Sequence, residues 1–215
     1  MTLFFFLFLI GAGLKMALPG AVYGQELSAF SQKIQQAYEQ AGDLSMEFVQ
    51  QTYVALLDKQ VRKTGSAQFK KPGKFLIRYE GAGGRQYLSN GKELYVFEAG
   101  DRQFQKYTVN EETVPSEALS FLGGLGNLSQ DFAVEEVDPK TERSLKKIKP
   151  NLRWLELTPL KKRSTIQKLI MGFDKENALV QELFIFSESG NMSHYVFEKV
   201  AANTGLKDEI FEWKR

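Results

Sequence analysis

The sequence predicts a mostly β protein with helices: a half-closed antiparallel barrel with helices as a plug or lid. Three observations carry this. Apolar and polar residues alternate with period two through most of the chain after Leu44, the pattern of half-buried strands. Tight-turn residues separate these stretches, so successive strands form an antiparallel meander. Only two segments carry helical spacing. A twisted sheet of about ten strands curls, and its concave face must be filled. The helices either fill it as a plug or lid, or complete a core.

The first helical segment is "ELSAFSQKIQQAYEQAGDL", where Leu27, Phe30, Ile34 and Tyr38 recur on one face and Gly42 ends the helix. The period then changes. Leu44, Met46 and Phe48 share a face, as do Gly65, Ala67 and Phe69, and as do Phe75, Ile77 and Tyr79. Asn90-Gly91 reads as the hairpin turn between "RQYLS" and "KELYVFE", because both residue types tolerate positive φ. Gly100-Asp101 turns into "RQFQKYTV". "VPSEALSFLGGLGNLSQDF" then interrupts the sheet. Pro115 and Ser116 suit a helix start, Leu119 and Leu122 lie on one face, and Gly123, Gly124 and Gly126 end the helix in a hinge. Strands resume with "FAVEEV", "RWLELTP", "TIQKLIMGFD", "ALVQELFIFSE" and "MSHYVFEKV", and residues 138–151 form a long charged loop.

Composition fits one domain. Of 215 residues, 43% are apolar and 25% charged, with 17 Phe, which points to a large apolar interior or cavity. A net charge of +2 gives no drive toward nucleic acid. The opening run "MTLFFFLFLIGAGL" has the length of a signal-peptide core. It is too short to cross a bilayer, which takes about 20 apolar residues. Pro19 is read as a breaker, and Val22 and Gly24 supply small residues for cleavage before Gln25. Residues 1–24 are therefore expected to be a signal peptide and 25–215 the functional domain, with periplasmic localisation. An uncleaved membrane anchor is the alternative, because Lys15 follows the apolar run instead of preceding it. The chain has no cysteine, so it has neither disulfides nor the attachment point of a lipoprotein anchor.

Catalytic chemistry finds little support. The single histidine, His194, neighbours Ser193, but adjacent strand residues face opposite ways. No Gly-x-Ser-x-Gly elbow appears. One histidine and no cysteine make a poor zinc site. "GAGG" (81–84) and "GGLG" (123–126) lack Walker spacing and read as a turn and a hinge. The basic runs "KKIK" (146–149) and "KKR" (161–163) read as solvated loops, with phosphate or lipid head-group contact the sharper option. No enzyme activity, metal or cofactor is expected.

"FKKPGKFLIRYE" followed by "LSNGKELYVFEAGDRQFQKYTV" resembles the LolA family, the periplasmic carriers of bacterial lipoproteins. "LELTPLKK", "GFD", "MSHYVFEKV" and "NTGLKDEIF" fall where that family has matching pieces, and "ALSFLGGL" fits its lid. The resemblance implies an unclosed antiparallel β-barrel of about ten or eleven strands, capped by short α-helices that enclose an apolar cavity. It implies acylated lipoproteins as cargo, an inner-membrane ABC-type releasing complex as donor, and the outer-membrane receptor LolB or an equivalent as acceptor, with a monomeric carrier. Phe48, Phe69, Phe75, Ile77, Leu119 and Leu122 are expected to line the cavity. Lys71, before Pro72, matches the family's lid latch, an arginine in its best-known members, and is expected at the carbonyl end of the helix near Leu122. Tyr95 stands where a tryptophan is common. A carrier or sensor of another lipid or glycolipid on the same fold is the alternative function, and a hydrolase on a β-scaffold a third.

Overall fold

The structure, a computed structural model, describes residues 19–98, 100, 103–109, 128–138, 140–141, 151–161 and 165–213. Helix α1 (Pro19–Gln40) leads into β1 (Asp43–Val54), β2 (Lys59–Lys70), β3 (Lys74–Tyr79), β4 (Arg85–Asn90), β5 (Glu93–Glu98) and β6 (Phe104–Thr108). A one-turn helix α2 (Leu128–Asp131) precedes β7 (Phe132–Glu136), β8 (Leu152–Pro159), β9 (Ile166–Asp174), β10 (Val180–Ser187) and β11 (Met192–Ala202). Pro19 is the first described residue of α1.

All eleven strands form one antiparallel sheet in the order β6-β5-β4-β3-β2-β1-β11-β10-β9-β8-β7. The chain enters at the centre, meanders out to β6, crosses to the far edge at β7 and meanders back, so that β11 pairs with β1. Among the described residues the sheet thus keeps two edges, β6 and β7. The segment with Leu119, Leu122, Gly123, Gly124 and Gly126 connects them in sequence and lies outside the described residues.

Helix α1 lays Phe30, Ile34 and Tyr38 into the main core, with residues such as Leu44, Leu155, Met171 and Phe173. Burying such side chains contributes about 1.5–3 kcal/mol each before conformational entropy is counted. Tyr38 keeps its polar tip satisfied, since its hydroxyl accepts the Val180 N–H at 3.0 Å. Arg153 lies 4.8 Å over the Phe30 ring and pairs with Glu136, tying α1 to β7 and β8.

The convex face is also covered, which the alternating pattern does not anticipate. A C-terminal strap carries Phe211, fully buried, onto Leu76, Leu88 and Tyr95, and Trp213 stacks on Tyr95 at 5.6 Å. The strap is fixed by Asp43. Its carboxylate accepts the Thr204 N–H and hydroxyl and the N–H groups of Gly205 and Leu206, at 2.6–3.0 Å. Asn203 returns the clasp by accepting the Gly42 N–H at 2.8 Å. This is the physical content of the "NTGL" motif. Lys70 then donates to Leu206 O at 2.6 Å and joins Lys74 in pairing with Asp208.

Burial raises the Asp43 pKa, but the hydrogen bonds from Thr204, Leu206 and Gly205 outweigh it and hold the carboxyl below its ordinary 3.8. A depressed folded value means that the stabilisation is complete above the ordinary value and is lost as pH falls through the folded one. Asp43→Asn is therefore expected to cost about 2 kcal/mol at pH 7, shrinking toward zero in acid. Urea midpoints followed from pH 7 down to pH 2 check this. A penalty that does not shrink over that range would show that the charge is irrelevant.

The β4–β5 turn differs by one residue from the expected Asn90-Gly91. Gly91 and Lys92 occupy its centre, with Gly91 at φ +91°. Asn90 instead accepts the N–H groups of Lys92 and Glu93 with its side chain. A Cβ on Gly91 would meet Pro72 O at 2.8 Å. Buried Ser89 donates to Gly73 O at 3.0 Å and accepts the Gly91 N–H. The "SNGK" motif thus stitches this hairpin to the Lys71–Lys74 turn and holds Lys71 in place.

Candidate functional site: an apolar cavity

The concave face does not close completely. On it lies a cavity of about 250 Å³. Met46, Phe48, Ala67, Phe69 and Ile77 form one wall, from β1, β2 and β3. Leu183, Ile185, Tyr195 and Phe197 form the other, from β10 and β11, with Ile166 from β9. Tyr79, Tyr87, Thr165 and Ser187 complete it. Two walls distant in sequence meet because β11 pairs with β1, in the register Phe48↔Phe197.

Gly65 shapes the centre. It sits across from Phe48 on β2, and a Cβ there would come within 2.5 Å of the Phe48 ring and 2.2 Å of Arg78 O. The missing side chain lets the Phe48 ring lie over β2. There it packs edge-on against Tyr79 and Tyr195, at 5.2 and 5.8 Å between centroids.

Burial pushes the Tyr195 hydroxyl well above the usual phenol pKa, and neighbouring Tyr79 adds to the rise. Burial likewise raises Tyr79, with the Tyr195 hydroxyl partly opposing it. Both phenols therefore stay protonated and uncharged at any physiological pH, and this part of the wall carries no phenolate.

Lys71 stands at the end of α1. Its Nζ donates to Tyr38 O at 2.6 Å and Glu39 O at 2.8 Å. The last carbonyls of a helix have no internal partners, and the negative end of the helix dipole favours a cation. One ammonium satisfies two of these carbonyls at once. The backbone joins in, as Lys71 N donates to Gly42 O at 3.1 Å. Neighbouring lysines at the end of β2 thus face opposite ways. Lys70 holds the convex strap, and Lys71 holds the carbonyl end of α1.

Of the residues expected to line the cavity, Phe48, Phe69 and Ile77 do so. Phe75 is buried in the same core with its ring 6.5 Å from that of Phe69, but it is not on the wall. Leu119, Leu122 and the hinge glycines lie outside the described residues. The carbonyls that Lys71 meets are those of α1. Sequence reasoning did not nominate Met46, Ala67 or Tyr79 for the site, although their alternation put them on the right face. The β10 and β11 wall needs the β1–β11 pairing, which has no local signal.

His194 lies on the convex side, stacked on Phe184 at 4.0 Å and paired with Glu182 at 3.0 Å. The Ser193 hydroxyl bonds Thr52 instead, at 2.9 Å. Among the described residues, no group of three or more His, Cys, Asp or Glu is placed to hold a metal, and no helix is long and apolar enough to cross a membrane.

Comparison with known proteins agrees with this architecture. A solved structure of an uncharacterized conserved protein from Thermus thermophilus superposes with a TM-score of 0.53 at 8% identity, over 89% of this chain and 95% of that one. The outer-membrane lipoprotein carrier protein of Nitrosomonas europaea is 24% identical over 164 residues, 74% of this chain and 73% of its own length. That of Nitrosospira multiformis is 26% identical over 153 residues, 70% of this chain and 67% of its own. The family model for the outer membrane lipoprotein carrier protein LolA matches residues 39–214. With the whole sheet, Lys71 and the C-terminal strap inside that match, the chain belongs to the LolA family.

Proposed function

We propose that this protein is a periplasmic carrier that shelters the acyl chains of lipoproteins between an inner-membrane ABC-type releasing complex and an outer-membrane receptor, LolB or an equivalent. The single observation that carries the reading is an apolar cavity on the concave face of an open sheet, in a fold whose helix α1 is held at its carbonyl end by one flexible cation. The relatives named as outer-membrane lipoprotein carriers support it. Each methylene taken out of water contributes about 0.8 kcal/mol, so a released lipoprotein needs such shelter. The cavity's 250 Å³ falls below the ~300–1,000 Å³ of pockets for drug-sized ligands. Loading must therefore widen it, by moving α1, the edges of the sheet, or the segment between them. In that segment Leu119 and Leu122 would face the cargo, and Gly123, Gly124 and Gly126 would serve as hinge.

The carrier acts by binding and release, with no covalent step and no cofactor. Residues 1–24 are its signal peptide in this reading. Cleavage before Gln25 would trim residues 19–24 from α1 and leave the packed Phe30, Ile34 and Tyr38. N-terminal sequencing of periplasmic material should begin at or near Gln25. An intact chain held in the inner membrane would contradict the assignment.

A two-step transfer assay tests the latch, scoring release from donor membranes separately from delivery to acceptor membranes. Lys71→Leu should fold and accept cargo, yet deliver about tenfold less, since two charge-assisted hydrogen bonds to α1 are lost. Lys71→Arg should deliver like the parent, because a guanidinium reaches the same carbonyls. Undiminished delivery by Lys71→Leu would remove the latch from the mechanism.

A further inference from the structure

The end of the sheet away from Lys71 carries apolar groups that the fold leaves uncovered. The β1–β2, β10–β11 and β8–β9 turns all lie there. At the first, a 3-10 turn, Ala55–Leu57, puts Leu56 and Leu57 at the apex of a long hairpin, 93% and 67% exposed. Leu160 and Lys161 are likewise exposed on the β8–β9 turn. Isolated surface leucines need no explanation. An adjacent pair at the point of a hairpin does, because hydrogen bonds hold it there.

Asp58, at φ +46°, closes the turn through its N–H to Ala55 O at 3.3 Å, and its carboxylate accepts the Tyr53 hydroxyl at 3.0 Å. Asn191 on the β10–β11 turn accepts the Ala55 N–H at 2.9 Å. That turn is tied onward, since the Ser187 hydroxyl and the Glu188 N–H both donate to Thr165 O. The three turns therefore form one rim. Thr165 and Ser187 also line the cavity, and Thr165 is exposed, so the cavity reaches this rim.

Behind the leucines comes a basic layer. Between residues 53 and 63, Lys59, Arg62 and Lys63 are exposed against a single carboxylate, Asp58. The Lys63 Nζ stands 5.3 Å over the ring of Tyr79, which is a cavity wall. Among the described residues the other two turns add one cation, Lys161, and one acid, Glu188, so the rim stays positive. An apolar point backed by cations matches a bilayer, whose hydrocarbon takes leucine and whose anionic head groups take lysine and arginine. A convex point also suits a fluid layer that conforms to it.

We infer that the β1–β2 tip docks the protein on a bilayer containing anionic phospholipid. Leu56 and Leu57 enter the acyl layer, and Lys59, Arg62 and Lys63 rest among the phosphates. Docked this way, the rim and the cavity behind it face the membrane, and an acyl chain has only a short path through water. The docking stands on the surface alone; its use in transfer rests on the carrier reading above.

The chain has no cysteine, so Leu56→Cys carries an environment-sensitive dye at the tip alone. Glu176→Cys, on the β9–β10 turn at the opposite end, is the control. With vesicles of phosphatidylethanolamine and phosphatidylglycerol, the dye at 56 should shift to the blue and the dye at 176 should not. Replacing both Leu56→Ser and Leu57→Ser should leave the fold intact, since both side chains are exposed, and weaken cosedimentation with these vesicles about tenfold. Replacing both Lys59→Gln and Lys63→Gln should weaken it about tenfold at low salt, with the difference fading at high salt. No shift at 56, an equal shift at both positions, or undiminished binding by the serine variant overturns the docking. Self-association without vesicles, lost with the same two serines, gives the leucines to a second copy and also overturns it. An apolar probe in the cavity should still be displaced by acylated peptide in the serine variant. Failure of that displacement in the parent protein would count against the carrier reading and leave the vesicle result standing.

Discussion

Gly65→Ala should lower stability by about 3 kcal/mol, although it adds one methyl group to a strand. The added Cβ would stand 2.2 Å from Arg78 O and 2.5 Å from the Phe48 ring. The ring could swing away, but the carbonyl belongs to the β2–β3 ladder, where Gly65 pairs with Tyr79. Relief therefore requires β2 and β3 to separate at that pair. The Phe48 ring would also leave its edge-on packing with Tyr79 and Tyr195, so the cavity should change with the stability. Urea unfolding should show the midpoint falling by about 1–2 M at a typical slope, together with weaker binding of an apolar probe. A midpoint within about 0.3 M of the parent, roughly 0.5 kcal/mol on the same slope, would show that β2 tolerates a side chain there.

Phe211→Ala should cost about 4 kcal/mol, in the range for truncating a fully buried aromatic ring. Phe211 has no exposed surface and fills the space above Leu76, Leu88 and Tyr95. Its short 3-10 turn, Asp208–Phe211, has little hold of its own beyond the Lys70 and Lys74 ion pairs with Asp208. Because this cluster lies on the convex side, the remaining folded protein should bind an apolar probe with unchanged affinity. Thermal melts and probe titration measured together separate the two effects. Loss of affinity at a temperature where the variant is folded would mean that the strap and the cavity are coupled through the sheet.

The eleven described strands were legible from their turn residues and, in most of them, from a period-two pattern. The helix at Leu27–Tyr38 was legible through its 3.6-residue stripe. What lay beyond the sequence were contacts between distant segments. The β1–β11 pairing joins residues 44–53 to 192–202, and no local signal marks it, so one whole cavity wall was missing from the expected site. The convex strap had a signal that alternation concealed. "FLI" at 75–77 is continuous apolar sequence, the mark of a strand buried on both faces, and Leu76 meets Phe211 there. The hairpin shifted by one residue because the Asn90 side chain caps the turn and Gly91 supplies the positive φ. For Lys71, resemblance supplied the residue and helix physics supplied the carbonyl partner. Which helix it meets is a matter of tertiary placement, and the carbonyls in reach are those of Tyr38 and Glu39.

Native mass spectrometry of the protein recovered from the periplasm under mild conditions tests the carrier reading most directly. The expected result is a complex with an acylated protein, lost when Phe48 and Leu183 on opposite walls of the cavity are replaced by Asp and retained in Lys71→Leu. Recovery with free lipid or glycolipid alone would transfer the fold's role to another amphiphile. Recovery of the bare chain, with no apolar probe displaced by acylated peptide, would contradict the carrier account and leave the cavity a packing defect in a dry core.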